Sequence, residues 1–156
     1  MIFRVLTVFL FTASLLAAPT AAQTREVPYW ATIKTDRAFM RVGPSKEYHV
    51  EWVFKRSGLP IKVVRVTGPW RLVRDSDGTQ GWVASSQLSP SRSALVVGEG
   101  NTEIREAPAD NAKLKWHVEP GVVGTLGDCQ ASWCEIDIRG HFGWIKQSRL
   151  WGTGAP

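Results

Sequence analysis

The sequence has 156 residues, with 19 Lys and Arg against 14 Asp and Glu, and eight tryptophans. That length accommodates one ordinary domain or two very small ones. The mild positive balance identifies no partner and gives no warrant for a nucleic-acid ligand.

The chain opens with Arg4 followed by an apolar stretch over residues 5–18, then small residues up to Ala22. A charged start, a short apolar core and a small-residue cleavage site read as a signal peptide over residues 1–22. The stretch is interrupted by Thr7, Thr12 and Ser14, and it is shorter than the roughly 18 apolar residues that favour a bilayer span. The expectation is a periplasmic or secreted protein with no stable membrane insertion after cleavage, the alternative being an uncleaved N-terminal anchor. Residues 23–30 read as a tail.

From there an internal repeat organises the chain. Met40-Arg41-Val42-Gly43-Pro44-Ser45 recurs as Ile104-Arg105-Glu106-Ala107-Pro108-Ala109, Trp52 as Trp116, and Trp70 as Trp133. Gly81-Trp82-Val83-Ala84 recurs as Gly143-Trp144-Ile145-Lys146. An offset drifting only from 64 to 62 residues means altered loops within one shared architecture. The repeat sets units at residues 31–89 and 93–151, joined by a polar linker at 90–92 and followed by a C-terminal tail at 152–156.

Within each unit the pattern is short β-type runs separated by glycine-rich turns. Pro60-Ile61-Lys62-Val63-Val64-Arg65-Val66 is β-branched and partly alternating, Gly68-Pro69 turns the chain into a run starting at Trp70, and Asp75-Ser76-Asp77-Gly78 turns it again before Gly81-Trp82. Such spacing predicts an all-β fold, a small barrel or sandwich in each unit. A unit this small has a thin core, which favours packing of the two units against each other. Trp52, Trp82, Trp116 and Trp144 are expected to be in or partly buried against those cores and to help fill them. Charge separates the units: residues 31–88 hold ten Lys and Arg against five Asp and Glu, residues 93–151 six against eight.

The motifs Phe39-Met40-Arg41-Val42-Gly43-Pro44-Ser45, Arg56-Ser57-Gly58-Leu59-Pro60 and Asp77-Gly78-Thr79-Gln80-Gly81-Trp82-Val83, with Trp133-Cys134 and Gly143-Trp144-Ile145 in the second copy, resemble the bacterial SH3-like family. That resemblance implies two tandem small SH3-like β-barrels after the signal peptide. It also implies peptidoglycan or another envelope component as partner. Eukaryotic SH3 domains grip proline-rich helices with a turn-adjacent Trp together with a Pro and a Tyr. Only the Trp is matched here, by Trp70 and Trp133; Ala84 and Gln87, then Lys146 and Arg149, stand at the other positions. The polyproline activity is therefore not carried over.

Cys129 and Cys134 flank a predicted turn, and in an oxidising compartment a cross-strand disulfide is the expectation. A zinc site needing His117 or His141, and a redox pair, are the competing readings. His49, His117 and His141 lie outside any nucleophile-bearing motif, so no catalytic site, metal or cofactor is expected. The candidate ligand-binding residues are Arg41, Tyr48 and His49 on the long first loop, with Trp70, Arg71 and Trp133 beside turns. Stacking plus positive charge there suits an anionic peptide or glycan-peptide. The expected role is a non-catalytic envelope-binding module, the alternative a factor that docks on another periplasmic protein.

Overall fold

The computed structural model describes residues 25–156; the segment read as a signal peptide lies outside them. The first seven strands are β1 (Tyr29–Ile33), β2 (Ala38–Arg41), β3 (Val50–Phe54), β4 (Pro60–Thr67), β5 (Trp70–Arg74), β6 (Gln80–Ala84) and β7 (Leu88–Ser89). The second seven are β8 (Ser93–Val96), β9 (Thr102–Arg105), β10 (Leu114–Val118), β11 (Val123–Gln130), β12 (Trp133–Ile138), β13 (His141–Lys146) and β14 (Leu150–Trp151). A single 3₁₀ turn precedes β7 at Ser85–Gln87 and another precedes β14 at Gln147–Arg149.

Each set forms one antiparallel seven-stranded sheet. The strand order is β3-β2-β6-β5-β4-β1-β7 in the first and β10-β9-β13-β12-β11-β8-β14 in the second, the same order shifted by seven. The hydrogen bonding does not close: β3 and β7, and likewise β10 and β14, remain edges. The expectation of barrels is corrected to that extent, to sheets that fold over their own cores without becoming continuous ladders.

Alternation explains which residues enter those cores. In β4, Ile61 and Val63 are buried while Lys62 and Arg65 are not, and in β6 Gly81 and Val83 alternate with half-buried Trp82, the period of two that a pleated strand imposes. The first core gathers Ile33, Met40, Phe54, Ile61, Val73 and Val83, the second Val96, Ile104, Val118, Ile136, Ile145 and Leu150. Aliphatic side chains predominate in both, with Phe54 the aromatic member of the first. Trp82 and Trp144 turn to the opposite face beside Arg41 and Arg105, their cross-strand partners, and Trp52 is 56 % exposed. Of the four tryptophans expected in the cores or partly buried, Trp82, Trp116 and Trp144 are half-buried, and of these only Trp116 packs against a core.

The repeated Gly-Trp element has a steric reason. A Cβ on Gly81 would run into the Met40 side chain, and one on Gly143 into Ile104. These glycines let the inner residue of the neighbouring strand seat itself at the bottom of the core.

The units are packed together. β1 begins at Tyr29, inside the segment assigned from sequence to the tail, and places Trp30 edge-on to Trp151 with ring centroids 5.0 Å apart. The Trp30 indole N–H donates to the Gly154 carbonyl at 3.1 Å, so the C-terminal segment is held by the first unit. Lys62 sets its ammonium over both indoles, 5.1 and 5.5 Å from their centroids. Thr32 donates to the Ser91 carbonyl at 2.6 Å and lies 2.8 Å from the Ser93 hydroxyl, while Arg56 donates to the Gly121 carbonyl at 3.1 Å. Among the described residues no helix is long and apolar enough to cross a membrane.

Candidate functional site

The loop over residues 42–49 connects β2 to β3, and its shape is set by Arg41. The Arg41 guanidinium donates to the carbonyls of Lys46 (3.0 Å) and Tyr48 (2.6 Å), tying the loop back to the strand that launches it. The Tyr48 ring lies against Gly43, where a Cβ would stand 2.5 Å from the ring. Val42 donates its N–H to the His49 carbonyl at 3.4 Å and closes the loop's base. The second unit repeats the device, Arg105 donating to the Ala112 carbonyl at 2.6 Å. Arg41 is thus a loop-forming residue, and Tyr48, although 48 % exposed, has one face committed to the same task.

Facing the loop is the β4–β5 hairpin, in which Thr67 pairs with Trp70 and Val66 with Arg71. Arg71 holds the turn, donating to the carbonyls of Gly68 (2.8 Å) and Trp70 (3.0 Å) and to the Tyr29 hydroxyl (3.1 Å). The 3₁₀ turn completes the enclosure, with the Ser85 N–H donating to the Pro69 carbonyl at 2.8 Å. Between these elements runs an open groove of about 560 Å³ lined by Pro44, Lys46 and Glu47 from the loop, Pro69 and Trp70 from the hairpin, and Ala84 with the two serines after it. Trp70 supplies its aromatic wall and is half-buried.

The second unit builds the same frame and fills it. Trp133 is the counterpart of Trp70, and its cross-strand partner is Lys146 where Trp70 has Ala84. The Lys146 ammonium sits 5.4 Å from the Trp133 ring centroid and pairs with the Asp110 carboxylate at 2.5 Å. Asp110 occupies the loop position that Lys46 holds in the first unit. The lysine therefore bridges from strand to loop across the place where the groove would be. Trp133 is left only 5 % exposed, which corrects its expected place as a mouth-exposed aromatic. The Lys146 hydrogen bond and charge hold the Asp110 carboxyl below its ordinary range.

The structure thus brings Trp70, Arg71 and the 42–49 loop together. It assigns Arg41 and Arg71 to holding backbone, leaves His49 exposed and covers Trp133. Sequence reasoning passed over Pro69, Glu47 and Ala84. The Ala84–Lys146 difference was visible in the repeat, but its meaning needed the strand register.

Cys129 and Cys134 are cross-strand partners joined by a disulfide. Among the described residues no group of three or more His, Cys, Asp or Glu side chains could hold a metal ion.

These features define a tandem all-β module with the same frame in each repeat, open as a groove in the first and crossed by Lys146 and Asp110 in the second. A sequence model of the bacterial SH3 domain matches residues 34–90 and again 98–152, and the chain belongs to that family. It is similar to the putative N-acetylmuramoyl-L-alanine amidase YrvJ of Bacillus subtilis (strain 168), 21 % identical over 98 % of this chain but only 31 % of that protein. The chain therefore spans about a third of the length of the curated relative it matches. Among solved structures, NlpC1 from Trichomonas vaginalis aligns with 91 % of this chain and 51 % of its own at 13 % identity and a TM-score of 0.37. An NlpC/P60 family protein from Bacillus cereus ATCC 10987 aligns with 78 % and 55 %, at 13 % identity and a TM-score of 0.34.

Proposed function

We propose that the protein is a non-catalytic binding module of the cell envelope, periplasmic or secreted, whose first-unit groove takes peptidoglycan or another anionic envelope polymer. The carrying observation is the contrast between the repeats: the Trp70 groove is open beside Ala84 and carries Lys46 on its loop, whereas Lys146 and Asp110 cross the other. Family membership supports the ligand class, as does the similarity to a protein named as a putative N-acetylmuramoyl-L-alanine amidase. A binding role rather than catalysis fits the groove's polar groups, which are serines, Lys46 and Glu47 without a histidine among them.

Co-sedimentation of the purified chain with isolated sacculi tests this. Trp70→Ala is expected to weaken binding at least tenfold without unfolding the sheet. Raising salt is expected to weaken binding further, since exposed charges are screened over about 8 Å at physiological ionic strength. Binding that survives Trp70→Ala and is indifferent to salt, or selective retention of one periplasmic protein with no sedimentation, overturns the proposal in favour of protein docking.

A further inference from the structure

Trp52 is the most exposed large hydrophobic side chain among the described residues, at 56 %, and the Trp70 groove does not use it. Its counterpart Trp116 is half-buried, packed against the second core and edge-on to His141 at 5.9 Å. The cause lies in the hairpin that faces each indole. In the second unit the two-residue turn Arg139-Gly140, with Ile138 paired to His141, brings the imidazole against Trp116. In the first unit the turn between β5 and β6 is longer, runs through Asp75, Ser76 and Asp77, and leaves the Trp52 indole bare.

Those three turn residues, with Trp52, Phe54 and Leu95 of the second sheet, line a cleft of about 170 Å³. A hollow of about 500 Å³ continues from it along β3, again bordered by Trp52 and Phe54, with Glu51 and Lys55 as its charged members. Asp75 points one carboxylate oxygen into its own turn, accepting from the N–H groups of Asp77 (3.0 Å) and Thr79 (2.8 Å). Asp77 enters that hydrogen bonding through its backbone N–H and is exposed, so its carboxylate faces solvent at the cleft's rim. No Lys or Arg lines this cleft, although the unit around it is basic.

An exposed indole face bordered on its cleft side by carboxylates and a hydroxyl is chemistry for a polyhydroxylated ring. The C–H face of a pyranose covers the indole, and its hydroxyls donate to Asp77 and Asp75 in charge-assisted hydrogen bonds. We infer that Trp52, with Asp75, Ser76 and Asp77, forms a subsite for a neutral saccharide, distinct from the Trp70 groove. The two lie at opposite ends of β5, separated by roughly 13 Å along the strand at about 3.3 Å per residue.

The test titrates the full chain with two neutral probes, an N-acetylglucosamine tetramer and cellotetraose, following indole N–H resonances by NMR with Trp52 assigned through Trp52→Phe. The Trp52 resonance is expected to move with at least one probe while that of Trp70 stays still, and the movement is expected to be indifferent to salt. Trp52→Ala is expected to reduce affinity at least tenfold and Asp77→Asn severalfold, with folding retained because both side chains are exposed. A response to the N-acetylated probe alone assigns the subsite to amino sugars, and a response to both assigns it to pyranoses in general. No movement of the Trp52 resonance at millimolar saccharide overturns the inference, as does movement confined to Trp70. Self-association abolished by Trp52→Ala, without saccharide binding, also overturns it and makes the patch a contact between copies. Trp70→Ala separates this result from the groove reading, since it is expected to impair sedimentation with sacculi and leave the saccharide response intact.

Discussion

One substitution between equivalent positions, Ala84 against Lys146, separates an open groove from an occluded one. A lysine ammonium can sit over an aromatic face while it also reaches a carboxylate, and Lys146 does so between Trp133 and Asp110. The ion pair itself is exposed, with half or more of each side chain accessible, and such pairs contribute little to stability. Its effect is to position the lysine. Lys146→Ala is therefore expected to uncover Trp133 with little change in stability, read as increased acrylamide quenching of the Trp133 contribution relative to a Trp133→Phe control. The same uncovering is expected in acid. Asp110 is depressed by Lys146, so the contact is fully present above the ordinary carboxylate value near 3.9 and is lost as pH falls through the lower folded-state value. Unchanged quenching in Lys146→Ala and at low pH would mean that other neighbours bury Trp133.

At the scale of elements, the β4–β5 and β11–β12 hairpins solve one problem differently. In the first, Gly68 takes a positive φ of 51° and Pro69 follows it, and Arg71 ties the turn through the Gly68 and Trp70 carbonyls. In the second, Ala131 and Ser132 hold φ of 49° and 67°, a conformation that disfavours side chains by roughly 1–2 kcal/mol per residue. The Cys129–Cys134 disulfide closes the ladder next to that turn, at the pair equivalent to Val66 and Arg71. A loop this short gives a chain-entropy contribution of about 2 kcal/mol. The double variant Cys129→Ser with Cys134→Ala is expected to lose about that much in denaturant unfolding, and adding Ala131→Gly is expected to restore roughly 1 kcal/mol. Equal stability with and without the disulfide would show that the turn is held by other contacts.

At the scale of the whole molecule, the two sheets are joined by side chains that do not repeat. By the strand register, Trp30 corresponds to Ser93 and Trp151 to Ser89, each indole facing a serine position in the other copy. The aromatic pair, the Lys62 ammonium above it and the Thr32–Ser93 contact therefore form only when both units are present. Trp30 is 6 % exposed, and replacing a buried Trp by Ala costs about 3–5 kcal/mol, a large share of the 5–15 kcal/mol that holds an ordinary domain together. Trp30→Ala is expected to lower stability by roughly 3 kcal/mol and to split one denaturation transition into two, followed by calorimetry on the full chain. A single transition at an unchanged midpoint would show that the units unfold together through other contacts.

Much of this was legible in the sequence because it is local or repeated. The Gly-Trp element, the turn-flanking cysteines and the alternating β4 run fix strands, turns and the two-unit organisation through periodicity and glycine sterics, and those hold wherever the residues sit. Which tryptophans are covered was decided by the tertiary structure alone, because it depends on what lies across the strand. Trp70 faces Ala84 and Trp133 faces Lys146; Trp116 meets His141, while Trp52 meets a longer acidic turn. That the units pack together followed from their thin cores, but the side chains that join them were hidden: Trp30 and Trp151 are 121 residues apart, no spacing rule pairs them, and the edge-to-face contact exists only once both sheets have formed.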